Sequence, residues 1–161
     1  MGEMKRIVFF SLMCLMVFSV QAQQDATSKD YVDLGLPSGT MWKSSNEKGG
    51  FYTYDEAVLQ FGNRLPTMEQ WVELKDKCQW SWDGSGIKVT GLNGNSIVLP
   101  ALGYRNCNGN IYNVGSHGYY WSSTPDGSDE NDAWFLKFNS DEVSMGSRYR
   151  CHVRSVRLVK N

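Results

Sequence analysis

Pro66-Thr67-Met68-Glu69-Gln70-Trp71-Val72-Glu73-Leu74-Lys75-Asp76-Lys77-Cys78-Gln79-Trp80-Ser81-Trp82 changes its period in the middle. The first half reads as a helix. Pro66-Thr67 supplies a start signal, and Gln70 stands in the return position of a capping box, where two side chains each satisfy an orphan amide. Trp71, Leu74 and Cys78 then recur at i, i+3 and i+7, so one stripe faces a core. From Gln79 the period becomes two. Trp80 and Trp82 alternate with Gln79, Ser81 and Asp83, which is strand spacing.

Working back toward the N-terminus, Thr53-Tyr54-Asp55-Glu56 is a second capping box, with Ala57, Val58 and Phe61 as the apolar face behind it. Tyr31-Val32-Asp33-Leu34-Gly35 and Thr40-Met41-Trp42 read as short strands around a Pro37-Ser38-Gly39 turn. Toward the C-terminus, Ile87–Thr90 and Ser96–Leu99 flank Asn93-Gly94, a hairpin signal whose two central positions favour positive φ. Tyr119–Ser122 and Trp134–Phe138 are further strands, with Trp134, Leu136 and Phe138 sharing a face, and Tyr149–Val159 is the last. Polar loops cover Asn106–Gly118 and Thr124–Asp132. Both helices precede most of the strands, so the fold class is α+β rather than an alternating parallel design.

Lys5 and Arg6 precede an apolar run from Ile7 to Val20 that closes on Ser19-Val20-Gln21-Ala22, the pattern of a removable signal peptide, 1–22. That run falls short of the roughly 20 residues a membrane-spanning helix needs. Residues 23–29 read as a polar linker and 30–161 as one domain. Cleavage removes Glu3, Lys5 and Arg6, leaving a charge one unit more negative than the full chain's -1. A nearly neutral domain has no global field to draw it to nucleic acid or anionic lipid. The expected destination is the periplasm, the cell surface or the medium. Cys78, Cys107 and Cys151 remain after cleavage, enough for one disulfide and one thiol in an oxidising compartment. Three pairings are open. Cys107–Cys151 is favoured because both lie in polar, turn-rich settings, whereas Cys78 ends an amphipathic helix.

Several separated motifs carry a resemblance. Tyr31-Val32-Asp33-Leu34-Gly35-Leu36-Pro37-Ser38-Gly39-Thr40-Met41-Trp42, Arg64-Leu65-Pro66-Thr67-Met68-Glu69-Gln70-Trp71, Gly91–Ala101, Gly118-Tyr119-Tyr120-Trp121-Ser122-Ser123 and Ser155-Val156-Arg157 follow one another in order. Together they resemble the FISUMP (Fibrobacter succinogenes major paralogous) domain. The "RLPT" helix start is also similar to the formylglycine-generating sulfatase-modifying family. The resemblance implies a C-type-lectin-like fold, with two helices packed on twisted, mostly antiparallel strands and long loops gathered on one side. It also implies an exported protein of a Gram-negative bacterium. Many relatives carry a Cys where this chain has Ser45, so Cys78 has lost a partner on this reading. The cysteine pair of the sulfatase-modifying enzymes has no counterpart, so fold similarity carries no activity across.

No Gly-x-Ser-x-Gly elbow, phosphate-cradling glycine loop or metal-type His pair is present in the sequence. Asp126, Asp129 and Asp132 lie in an oxygen-rich loop with calcium-type ligands, though solvated acidic loops are the commoner case. Arg148, Arg150, His152 and Arg154 alternate, and a regular strand would set them on one face for an acidic ligand. The competing reading is a solvated strand face. Asn106, Asn108, Asn110, Tyr112, Asn113 and Tyr119 combine adaptable amides with rigid rings, a recognition-loop composition. The tryptophans fall in helix and strand patterns and are assigned to the core.

The expectation is therefore a non-catalytic binding or adhesion module for a glycan or envelope protein, without cofactor. Its candidate contacts are Asn106, Asn108, Tyr112, Asn113, Tyr119, Arg148, Arg150 and His152. A structural or assembly subunit such as a surface-fibre tip, and a hydrolase with an unfamiliar site, are the rival readings.

Overall fold

Both helix starts form as their caps dictate. In the computed structural model, which describes residues 30–161, the Thr53 and Thr67 side chains accept from the amides of Glu56 and Gln70, whose side chains return the bond. Helix α1 spans Tyr54–Phe61, a 3-10 turn follows at Gly62–Arg64, and α2 spans Met68–Lys77. The leader and linker expected over 1–29 lie outside the described residues.

Eleven strands form around these helices among the described residues. They are β1 (Tyr31–Asp33), β2 (Met41–Lys43), β3 (Gln79–Trp82), β4 (Gly86–Thr90), β5 (Ser96–Pro100), β6 (Tyr104–Arg105), β7 (Ile111–Tyr112), β8 (Gly118–Pro125), β9 (Asp132–Phe138), β10 (Val143–Tyr149) and β11 (Val159–Lys160). The sheets run β1-β2-β11, β3-β4-β5, β6-β7 and β10-β9-β8, and the pairs β2–β11, β3–β4, β4–β5, β6–β7, β8–β9 and β9–β10 are antiparallel. The architecture is thus mixed α and β, two short helices among antiparallel sheets.

The β10-β9-β8 sheet is covered on both faces. Tyr120, Leu136 and Phe138 join one apolar cluster with Trp42, Trp71, Leu74 and the β4–β5 residues Ile87, Val89, Ile97 and Leu99. Tyr119, Trp121, Ala133 and Phe135 point the other way and join Tyr54, Ala57, Phe61, Leu65, Val156 and Leu158. A strand buried on both sides has no polar face, which explains the unbroken apolar runs at 119–121 and 133–136. Trp134 shares the parity of Leu136 and Phe138 but is only half-buried.

Four expectations require correction. Val58 is 37% exposed, because α1 buries only Tyr54, Ala57 and Phe61 and leaves both Val58 and Leu59 facing solvent. Asn93-Gly94 is not a two-residue turn. Strand pairing stops at Thr90↔Ser96, Gly94 alone takes positive φ (86°), and Asn93 Oδ1 accepts from the Asn95 amide while its Nδ2 donates to Asp33 O. The five-residue loop is held by its own bonds, Gly94 N to Gly91 O and Gly91 N to Asn95 O, together with the contact to β1. The terminal strand expected at Tyr149–Val159 begins earlier and ends at Tyr149, where His152 N turns back to Tyr149 O. Residues 154–159 then run fully buried between the Lys43–Tyr52 segment and β8, exchanging isolated backbone bonds with both. Finally, the six tryptophans divide: Trp42, Trp71 and Trp121 are fully buried, while Trp80, Trp82 and Trp134 are partly so.

Candidate functional site

The Asn106–Gly118 loop contains a strand of its own. Tyr104 and Arg105 pair with Tyr112 and Ile111, making a short hairpin whose tip turns at Asn106–Gly109. The Asn106 side-chain carbonyl accepts from the amides of Asn108 and Asn110, so it serves the turn. Gly103 makes the base of the hairpin possible. It holds φ +67°, and a Cβ there would meet the Tyr112 carbonyl at 2.0 Å. The Cys107–Cys151 disulfide ties the tip to the turn after β10, the pairing favoured from the sequence. Cys78 is a half-buried free thiol whose pKa burial pushes up.

These tethers assemble a row of rings. Tyr149 meets His152 edge-on at 5.8 Å, His152 tilts over Tyr104 at 5.3 Å, and Tyr104 stacks on Tyr112 at 5.4 Å. The two ends of the row are open to solvent, Tyr149 at 49% and Tyr112 at 43%. Tyr104, the hub, was not singled out in the sequence, because two isolated residues carry no period. Tyr119 lies behind the hub, 4.9 Å from the Tyr104 ring, with its hydroxyl accepting from Asn113 Nδ2 at 2.8 Å. Tyr119 is buried and supports the row rather than forming its surface. Asn113 itself holds φ 60°, so its side chain anchors a left-handed turn.

The four alternating basic residues do not share a face, since β10 stops before Arg150. Arg148 is exposed on β10. Arg150 lies 4.9 Å from the Tyr54 ring centre and donates Nε–H to Asp132 O. Arg154 is buried, its guanidinium lying 3.8 Å from the centre of the Phe135 ring and 4.0 Å from that of Trp121. His152 accepts at Nδ1 from Arg154 Nη2, and its pKa is lowered by burial first and by Arg154 and Arg148 next.

Beside Tyr149 opens a groove of about 550 Å³, lined by Asp55, Glu130, Asn131, Tyr149, Arg150 and Cys151. It is a broad cleft rather than an enclosed chamber. Backbone bonds hold its walls: Arg150 N donates to Asn131 O, and Tyr54 N to Arg150 O. The loop with the calcium-type residues forms part of its rim. There Asp126 accepts from the Ser128 hydroxyl and amide, which holds its carboxyl down to about 2, and Asp129 accepts from Asn131. Among the described residues, no three His, Cys, Asp or Glu side chains gather as a metal-holding group. Asp55 was legible in the sequence only as part of a helix cap, and the groove gives it a further setting.

No curated protein and no solved structure matches this chain. Residues 75–159 do match a family, and that stretch carries the ring row, the disulfide and the Arg150 side of the groove. It is more than half of the chain, and the protein belongs to the family described as Domain of unknown function (DUF8237).

Proposed function

We propose that this protein is an exported, non-catalytic binding module of C-type-lectin-like, FISUMP-related fold that takes a glycan at the cell envelope. The observation that carries this reading is the continuous row Tyr149–His152–Tyr104–Tyr112, exposed at both ends and opening onto the groove. Sugar rings present C–H faces that suit aromatic platforms, and their hydroxyls suit mixed acceptors and donors. Asp55, Glu130, Asn131 and Arg150 offer both kinds beside Tyr149. The groove's size falls in the range of small-ligand sites, roughly 300–1,000 Å³. The exposed disulfide supports an oxidising destination, and no helix among the described residues is long and apolar enough to cross a membrane.

The test is a glycan array followed by calorimetry on Tyr149→Ala and Tyr112→Ala. Each variant is expected to weaken the retained glycan about tenfold, ~1.4 kcal/mol, with unchanged thermal unfolding because both rings are exposed. An array with no retained glycan, or variants that bind as tightly as the parent, would overturn the reading.

A further inference from the structure

The two margins of the β10-β9-β8 sheet are treated differently. The β8 margin is closed: Ser123 N donates to Pro66 O, Trp121 N to Ser155 O, and Ser155 N to Tyr119 O. The β10 margin is open. All seven residues from Val143 to Tyr149 pair in unbroken register with β9. Among the described residues, the one further backbone bond on the strand is His152 N to Tyr149 O, at its end. Alternate N–H and C=O groups along roughly 24 Å of strand, at about 3.4 Å per residue, therefore face outward.

Proteins usually blunt such an edge with a bulge, a proline or an inward lysine. β10 has a regular register and neither residue, and its centre, Ser144-Met145-Gly146-Ser147, is uncharged, with Met145 packed against the core cluster. Its charges are placed by sign. Asp141 and Glu142 are exposed in the turn before the strand, Arg148 is exposed near its end, and none of the three joins an ion pair among the described residues. An antiparallel copy centred on Met145 sets Glu142 against Arg148 of the second copy, and the twofold axis repeats the pair. A parallel copy in register would set like charges together.

We propose that β10 is the seam of a homodimer, pairing antiparallel with the same strand of a second copy to join two three-stranded sheets into one. The partner is self-complementary in both hydrogen bonding and charge, as a twofold interface requires. The inference does not depend on the glycan reading. Together they would give one particle two ring rows and bivalent attachment to a repeating ligand.

Sedimentation of the purified protein from micromolar to millimolar concentration tests it, with disulfide-linked species excluded on a non-reducing gel. A reversible dimer is expected. Arg148→Glu and Glu142→Arg should each weaken it about tenfold by opposing like charges across the seam, and the double variant should restore it. Unchanged circular dichroism spectra would tie these shifts to association. A monomer at every concentration, or a dimer indifferent to both single variants, would overturn the proposal. Glycan binding by Tyr112→Ala is read separately and leaves the β10 edge untouched, so either result can fail alone.

Discussion

The guanidinium of Arg154 donates from Nη2 to Nδ1 of His152 across 3.3 Å. Arginine has no acceptor, so this contact fixes His152 as a neutral ring with its proton on Nε2. Protonation would set N–H against N–H beside a buried cation, in the middle of the ring row. The groups around His152 are Arg154 and Arg148 by charge, and Tyr104 and Tyr149 by ring contact.

Stability is accordingly expected to fall in acid. His152 has its folded pKa below the unfolded value of about 6.5. The unfolded chain therefore binds the proton first, and stability is full above that pH and declines as pH drops below it toward the folded pKa. Urea midpoints measured from pH 7.5 down to 5 should decrease, and His152→Gln should flatten the decline. The carboxyl of Asp126, held at about 2, acts in a separate and more acidic window. A parent curve level from pH 7.5 to 5 would contradict the assignment.

The two buried arginines should respond in opposite ways to Met. Arg157 donates to Asn46 Oδ1, Lys43 O and Val98 O, joining three segments. Arg157→Met strands those acceptors and should cost about 3–5 kcal/mol. Arg154 leaves Nε and Nη1 without hydrogen bonds among the described residues, and no carboxylate pairs with it. Burial lowers its pKa to about 9, so its charge is costly to keep. Arg154→Met should leave stability unchanged or raise it by up to ~2 kcal/mol. Equal losses in equilibrium unfolding would refute the contrast.

Removing the Cys107–Cys151 link by double Ser substitution should cost about 2–4 kcal/mol, since it closes a loop of 44 residues in the unfolded chain. The hairpin tip and the turn after β10 should then gain hydrogen exchange ahead of the β8–β9 core. Uniform exchange across the chain would show that the link does not position the ring row.

Gly103→Ala should cost more than a surface Gly→Ala change. The new Cβ meets the Tyr112 carbonyl at 2.0 Å and φ is +67°, so β7 must shift. A loss of about 1–3 kcal/mol by thermal unfolding is expected. A stability gain would be incompatible with this hairpin geometry.

Local chemistry was readable along the chain. Hydroxyl, carboxylate and amide spacing named both helix starts, because a cap is made by residues three apart. Period and composition named most strands, the buried Trp71–Leu74 stripe and the Cys107–Cys151 bond. The terminal segment was misread because residues 154–159 are covered on all sides, so alternation carries no information there. Tyr104 went unseen because its two-residue strand has no pattern, and Asp55 because a capping-turn carboxylate looks the same with or without a groove beside it.

What the sequence by itself determined was which segments turn, coil and extend, since those choices rest on neighbours a few residues away. Tertiary structure alone decided that Tyr149, His152, Tyr104 and Tyr112 form a row, that Arg154 is withdrawn while Arg148 is exposed, and that β10 pairs with β9 on one side only. Those facts depend on contacts across many residues, set by a disulfide and a two-faced sheet, and no local spacing encodes them.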